Sequence, residues 1–293
     1  MLDLRPCPPQ SPGVPASSSA ALDPARARFG DWREIARFLL TFFLLALGLR
    51  SCIVMPRSIP SESMMPRLLV GDYVLVAKWP YGWSRFSLPW PPPLPHGRLL
   101  GRLPERGDVV VFRAPPADDQ DYIKRVIGLP GDRVQMRRGA LWLNGRPVKR
   151  TRLPDFVIPI APNTECSSIR NIRVPYGPGA SYEGKPTCRF MRWRETLPDG
   201  VSYDTLDQGE TPQDNTPVIT VPPGHVFLMG DNRDMSEDSR FATAAGGIGL
   251  VPAENLEGRA LVTFFSTDGS ATWWNPLSWW RATRFARIGR GFR

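Results

Sequence analysis

Apolar residues occur along this chain in short runs that stop at turn-forming residues, as in Asp108-Val109-Val110-Val111-Phe112, Ala140-Leu141-Trp142-Leu143 and Val218-Ile219-Thr220-Val221. Short runs of this kind bounded by Gly, Pro and Asp predict strands rather than helices. With 33 prolines and 26 glycines in 293 residues, the pattern implies a mainly β chain of antiparallel strands. One run differs. Phe38 to Leu49 is strongly apolar, but as a helix it covers only about 18 Å, against a hydrocarbon layer of about 30 Å. Extended from Ile35 to Met55 it reaches about 31 Å and takes in Arg37 and Arg50, which can snorkel to opposite surfaces. The spacing therefore predicts a transmembrane helix over 35–55. A cleavable signal peptide is the competing reading, disfavoured by the long segment that precedes the run.

The flanking regions lack chemical motifs. Residues 1–34 begin with a Pro-, Ala- and Ser-rich stretch and are expected to form a disordered tail, and Ser84 to Pro104 an exposed loop. A net charge of +9 suggests nucleic acid. Much of the excess, however, sits in Arg281, Arg284, Arg287, Arg290 and Arg293, behind Trp273-Trp274 and Trp279-Trp280. Tryptophan with arginine suits anionic lipid, so 271–293 reads as a membrane-interface tail, with membrane lipid and not nucleic acid as partner. Four cysteines are present, and Cys166 with Cys188 form the only pair beyond the apolar run and its edge. Spacing leaves open whether they are bridged. No metal-ligand cluster is visible, so neither metal nor cofactor is expected. Oligomeric state is not legible.

The chemistry starts from a scarcity of histidine. Only His96 and His225 occur, and neither lies in a segment suited to catalysis. A serine hydroxyl still needs a base, and a neutral lysine amine can serve. The candidates are Ser61 and Ser63 in Ile59-Pro60-Ser61-Glu62-Ser63-Met64-Met65-Pro66, and Lys124 in Asp121-Tyr122-Ile123-Lys124-Arg125-Val126-Ile127-Gly128. An amine with a pKa near ~10.4 is neutral in about one molecule in 2,500 at pH 7. Lowering it to roughly 8 by burial costs about 3 kcal/mol. Strand alternation puts Tyr122, Lys124 and Val126 on one face and Ile123, Arg125 and Ile127 on the other, leaving open which cation points inward. Taken alone, Lys124 would be a solvated lysine on an amphipathic strand.

A third segment, Phe227-Leu228-Met229-Gly230-Asp231-Asn232-Arg233-Asp234-Met235-Ser236-Glu237-Asp238-Ser239-Arg240, changes that reading. With Pro60 to Pro66, Gly71-Asp72-Tyr73-Val74-Leu75-Val76 and Lys124 to Asp132, it resembles the ordered boxes of type I signal peptidases, serine-lysine proteases of the bacterial cell membrane. The resemblance runs from about Phe38 to Gly258. It implies an antiparallel β catalytic domain (56–133 and 222–270) with an inserted second β subdomain (134–221), preceded by one N-terminal transmembrane helix. It further implies a cytoplasmic amino terminus and a catalytic domain on the periplasmic or outer side.

By that resemblance Ser63 is the nucleophile and Lys124 the general base. Ser61 with the Ser63 N–H forms the oxyanion hole, Ser236 orients the lysine, and Asp238 with Arg240 and Asp231 with Arg125 are supporting pairs. Ile59, Pro60, Met64, Leu68, Tyr122 and Ile123 match the walls of shallow pockets that select small residues in the Ala-x-Ala manner, on signal-peptide-bearing preproteins. Glu62 would raise the pKa of Lys124 if it approached, and is expected to face solvent. Arg57 stands where some members carry an aromatic near a pocket. A conjugative pilus-precursor peptidase and a non-catalytic peptide-binding module are the alternatives.

Overall fold

The computed structural model describes residues 32–87, 97–164, 178–182 and 185–292. The expected tail up to residue 31, the core of the proline-rich loop, Cys166 and Arg293 lie outside them.

The apolar run forms helix α1 (Trp32–Cys52). Among the described residues, however, no helix is long and apolar enough to cross a membrane, which departs from the span expected over 35–55. Arg33, Glu34 and Arg37 occupy its first turns, and the described apolar stretch from Phe38 to Gly48 measures about 17 Å. Its large side chains, Phe38, Leu39, Leu40, Phe42, Phe43, Leu44 and Leu45, are all exposed.

From Val54 onward the chain is mainly antiparallel β, as the short apolar runs imply. The largest sheet has seven strands. They are β1 (Val54–Ser58), β2 (Asp72–Ala77), β3 (Val109–Arg113), β4 (Asp121–Gly128), β13 (His225–Met229), β14 (Val251–Pro252) and β15 (Leu256–Ser266), in spatial order β1-β2-β15-β3-β4-β13-β14. Every neighbouring pair is antiparallel. Between β4 and β13 the chain builds two smaller sheets. One joins β5 (Arg133–Arg137), β6 (Ala140–Leu143), β7 (Arg146–Pro147) and β12 (Ile219–Thr220), and the other β8 (Lys149–Pro159), β9 (Pro178–Tyr182), β10 (Lys185–Thr196) and β11 (Ser202–Leu206).

These sheets share apolar cores with the large one. Ile127, Phe227 and Met229 of the large sheet pack with Val134, Met136, Leu141 and Leu143. Met65 and Leu69 pack with Ile158, Phe190 and Leu206. Strand β4 is therefore covered on both faces, and six of its eight residues, from Ile123 to Gly128, are buried. Cys188 is buried and disulfide-bonded.

The C-terminal segment also packs onto this body. After the short helix α2 (Pro276–Ala282), Arg287 forms a buried ion pair with Asp72, and Phe292 joins the core around Val74 and Val109. Trp273, Trp274, Trp279 and Trp280 remain exposed.

Candidate active site

Ser63 sits on a single 3₁₀ turn, Glu62–Met64, just beyond the end of β1. Hydrogen bonds from Ile59 N to Asp72 O (2.9 Å) and from Gly71 N to Ile59 O (3.0 Å) fix the entry to this turn against β2. The far side is held by Asn232, whose backbone N–H donates to Ser63 O at 3.0 Å and whose Nδ2 donates to Glu62 O at 3.2 Å. Sequence reasoning gave Asn232 no role; its place in the Gly230-Asp231-Asn232 run was the available signal. Gly230 completes the clamp. A Cβ there would stand 2.3 Å from Ser236 Oγ and 2.6 Å from Ser63 O, so only glycine allows the two loops to meet.

Lys124, at the centre of β4, reaches this turn. Its Nζ donates to Ser63 Oγ at 2.8 Å, and Ser61 Oγ lies 3.3 Å from Ser63 Oγ. Lys124 is 4% exposed. Burial lowers its pKa from 10.5 to about 8, against the pull of Asp238, Asp231 and Glu237. Among the described residues no carboxylate forms an ion pair with Lys124, whereas the arginines around it are paired.

Alternation left Lys124 and Arg125 indistinguishable, and the structure buries both, on opposite faces. Arg125, 1% exposed, makes a bidentate contact with Asp231, Nε to Oδ1 at 2.7 Å and Nη2 to Oδ2 at 2.6 Å. Arg240 contacts Asp238 at 2.8 and 3.0 Å, and Arg233 contacts Glu195 at 2.5 Å. Burial works to raise the pKa of Asp238, but Arg240 outweighs it and holds the carboxyl below its usual range.

Ser236 departs from expectation. It is buried at the cleft, yet its Oγ has no hydrogen-bond partner, and the bond it was expected to make to Lys124 is absent among the described contacts. Lys124 Nζ is instead engaged with Ser63.

The reactive pair opens on a cleft of about 540 Å³ lined by Pro60, Ser61, Ser63, Gln120, Asp121, Tyr122, Ile123, Lys124, Asp234, Met235, Ser236, Glu237 and Phe241. Of the six expected wall residues, Pro60, Tyr122 and Ile123 line it. Ile59, Met64 and Leu68 do not: they are buried in the core with Val74, Val76 and Val109, because the 3₁₀ turn that brings Ser63 to Lys124 sends Met64 into the sheet. Phe241, Met235 and Asp234 are walls that sequence reasoning missed, and burial pushes the Asp234 carboxyl up to about 6. Glu62, expected in solvent, is half-buried, but it is not among the carboxylates acting on Lys124. Arg57 pairs with Asp121 on the cleft rim (2.5 Å) and with Glu257 (2.7 Å).

A serine hydroxyl held against a buried amine, at the foot of an open cleft, is the arrangement of a serine hydrolase that uses lysine as its base. The family described as signal peptidase, peptidase S26, matches residues 32–265, and the chain belongs to that family. It is similar to Signal peptidase I of Rickettsia typhi (36% identical over 253 residues, 83% of each chain). It is also similar to that of Rickettsia prowazekii (35% over 240 residues, 79% of this chain and 78% of the relative). A crystal structure of a signal peptidase I from Enterococcus faecalis V583 matches 54% of this chain and 97% of its own at 24% identity, with a TM-score of 0.28; that likeness carries no weight here. The protein is thus a serine peptidase that removes signal peptides, and its substrates are signal-peptide-bearing preproteins.

Proposed function

We propose that Ser63 and Lys124 carry out the cleavage as nucleophile and general base, attacking signal peptides after small residues of the Ala-x-Ala type. The observation that supports this most strongly is the 2.8 Å contact between Lys124 Nζ and Ser63 Oγ at the foot of the cleft, with the amine pKa lowered to about 8. Once it has lost a proton, Nζ accepts the Ser63 hydroxyl proton while Oγ bonds to the scissile carbonyl carbon. Negative charge then grows on the carbonyl oxygen, where the Ser61 hydroxyl and the Ser63 N–H act as donors worth roughly 3 kcal/mol each. Collapse of this intermediate breaks the C–N bond, and the Lys124 ammonium protonates the leaving amine. Water, deprotonated by Lys124, then hydrolyses the Ser63 ester. Ser236, with its unpartnered Oγ in the same cleft, orients Lys124 once substrate excludes water. The pairs Arg125–Asp231 and Arg240–Asp238 hold the strand and loop that carry these groups. Pro60, Tyr122 and Ile123 form the specificity walls, and bulky residues at the cleavage positions are excluded sterically.

The same reading places the enzyme at a bacterial inner membrane, with its catalytic domain on the periplasmic face. The exposed Phe38, Leu39, Leu40, Phe42, Phe43, Leu44 and Leu45 of α1 and the exposed Trp273, Trp274, Trp279 and Trp280 support a lipid contact. The test is cleavage of a purified Ala-x-Ala precursor in detergent by the wild type, Ser63→Ala and Lys124→Ala, with circular dichroism to confirm folding. Cutting at the predicted bond by the wild type alone is expected; a folded Ser63→Ala enzyme that still cuts would overturn the assignment.

A further inference from the structure

A second cavity, of about 360 Å³, shares no lining residue with the Ser63 cleft. Six arginines converge on it from sequence-distant places: Arg67 just after the nucleophile turn, Arg125 in β4, Arg192 and Arg194 in β10, and Arg287 and Arg290 in the C-terminal segment. Three carboxylates answer them. Asp231 neutralises Arg125, Asp72 neutralises Arg287, and Asp204 of β11 lies 2.8 Å from Arg194 and 3.7 Å from Arg192. Six cations against three anions leave an excess of three positive charges around one half-enclosed space.

These guanidinium groups are held in place. Arg67 Nη2 donates to Gly291 O, and its guanidinium stands 5.6 Å from the centre of the Phe292 ring, while Arg290 Nε donates to Ala286 O at 2.7 Å. A guanidinium has five N–H donors, so each of these two keeps further donors for another group. Crowding like charges is unfavourable, and Arg67 registers it: burial first, then Arg125, Arg290 and Arg287, push it below its ordinary value, with Asp231 opposing. An anion in the cavity relieves that repulsion. Forked guanidinium groups match oxyanions with several acceptor oxygens, and the volume exceeds what a single small ion needs.

We propose that this arginine-lined cavity is a binding site for a phosphate-bearing anion, either a free phosphate compound or the headgroup of an anionic phospholipid. The site is independent of the Ser63–Lys124 chemistry. The experiment is isothermal titration calorimetry of the full-length chain in neutral detergent with pyrophosphate, at constant ionic strength set by chloride. Arg290→Gln removes an exposed arginine and is expected to weaken binding roughly tenfold, the size of one charge-assisted hydrogen bond. Asp204→Asn removes a competing carboxylate and is expected to tighten it by a similar factor. Thermal unfolding without ligand confirms that both variants fold, and precursor cleavage by Arg290→Gln is expected at the wild-type rate, which separates this claim from the catalytic one. Competition by micelles doped with phosphatidylglycerol, and not with phosphatidylcholine, identifies a lipid headgroup; pyrophosphate binding without such competition identifies a free phosphate compound. Pyrophosphate binding no tighter than chloride, or Arg290→Gln and Asp204→Asn titrating like the wild type, would overturn the proposal.

Discussion

Replacing Lys124 with methionine isolates the cost of burying the base. The fall in its pKa from 10.5 to about 8, at about 1.36 kcal/mol per pH unit, corresponds to about 3 kcal/mol of folding free energy spent on holding the cation in this site. The folded state here binds protons less readily than the unfolded chain. The penalty is therefore complete below pH 8, shrinks between about 8 and 10.5 as the folded state sheds its proton first, and vanishes above that window. Methionine keeps an unbranched side chain one atom shorter and removes the charge. It also removes the bond to Ser63 Oγ, which takes back about 1 kcal/mol. Lys124→Met is thus expected to be about 2 kcal/mol more stable than the wild type at pH 7, with a gain that fades towards pH 10.5, and to be inactive. Guanidinium unfolding of the full chain in neutral detergent, followed by tryptophan fluorescence at both pH values, measures this. A Met variant less stable than the wild type at pH 7, or a gain unchanged with pH, would refute the reasoning.

Three further outcomes follow from the same geometry. The rate of precursor cleavage at limiting substrate is expected to rise about tenfold per pH unit below about 8 and then level off, because the neutral amine is the active form; a flat profile there would contradict a lysine base. Gly230→Ala drives a Cβ against Ser236 Oγ and Ser63 O, and is expected to lower kcat about a hundredfold by displacing the nucleophile turn; steady-state assays on folded protein read this. Asp231→Asn leaves Arg125 buried and uncompensated, and its unfolding midpoint is expected to report a loss of about 3–5 kcal/mol, whereas a loss below about 1 kcal/mol would show that the pair does not hold β4 in place.

The sequence disclosed the reactive residues more readily than their setting. Ser63 and Lys124 stood out because histidine is scarce and because both lie in short, ordered boxes, and the short apolar runs announced antiparallel β structure. What stayed hidden depends on contacts between distant segments. Alternation cannot rank Lys124 against Arg125 when β4 is covered on both faces. Met64 and Leu68 read equally well as pocket wall or core until the 3₁₀ turn assigns them to the core. The C-terminal arginines looked like a lipid-facing tail, yet Arg287 pairs with Asp72 across 215 positions of sequence, which no local pattern encodes.

The central claim is that Ser63 is the residue acylated during cleavage, and trapping that ester tests it most directly. Rapid acid quenching of the wild-type enzyme with a signal-peptide precursor, followed by proteolysis and mass spectrometry, is expected to find the signal fragment on the peptide that contains Ser63, and to find none in Lys124→Ala. An adduct on Ser61 or Ser236, or steady cleavage with no adduct at Ser63, would contradict the account.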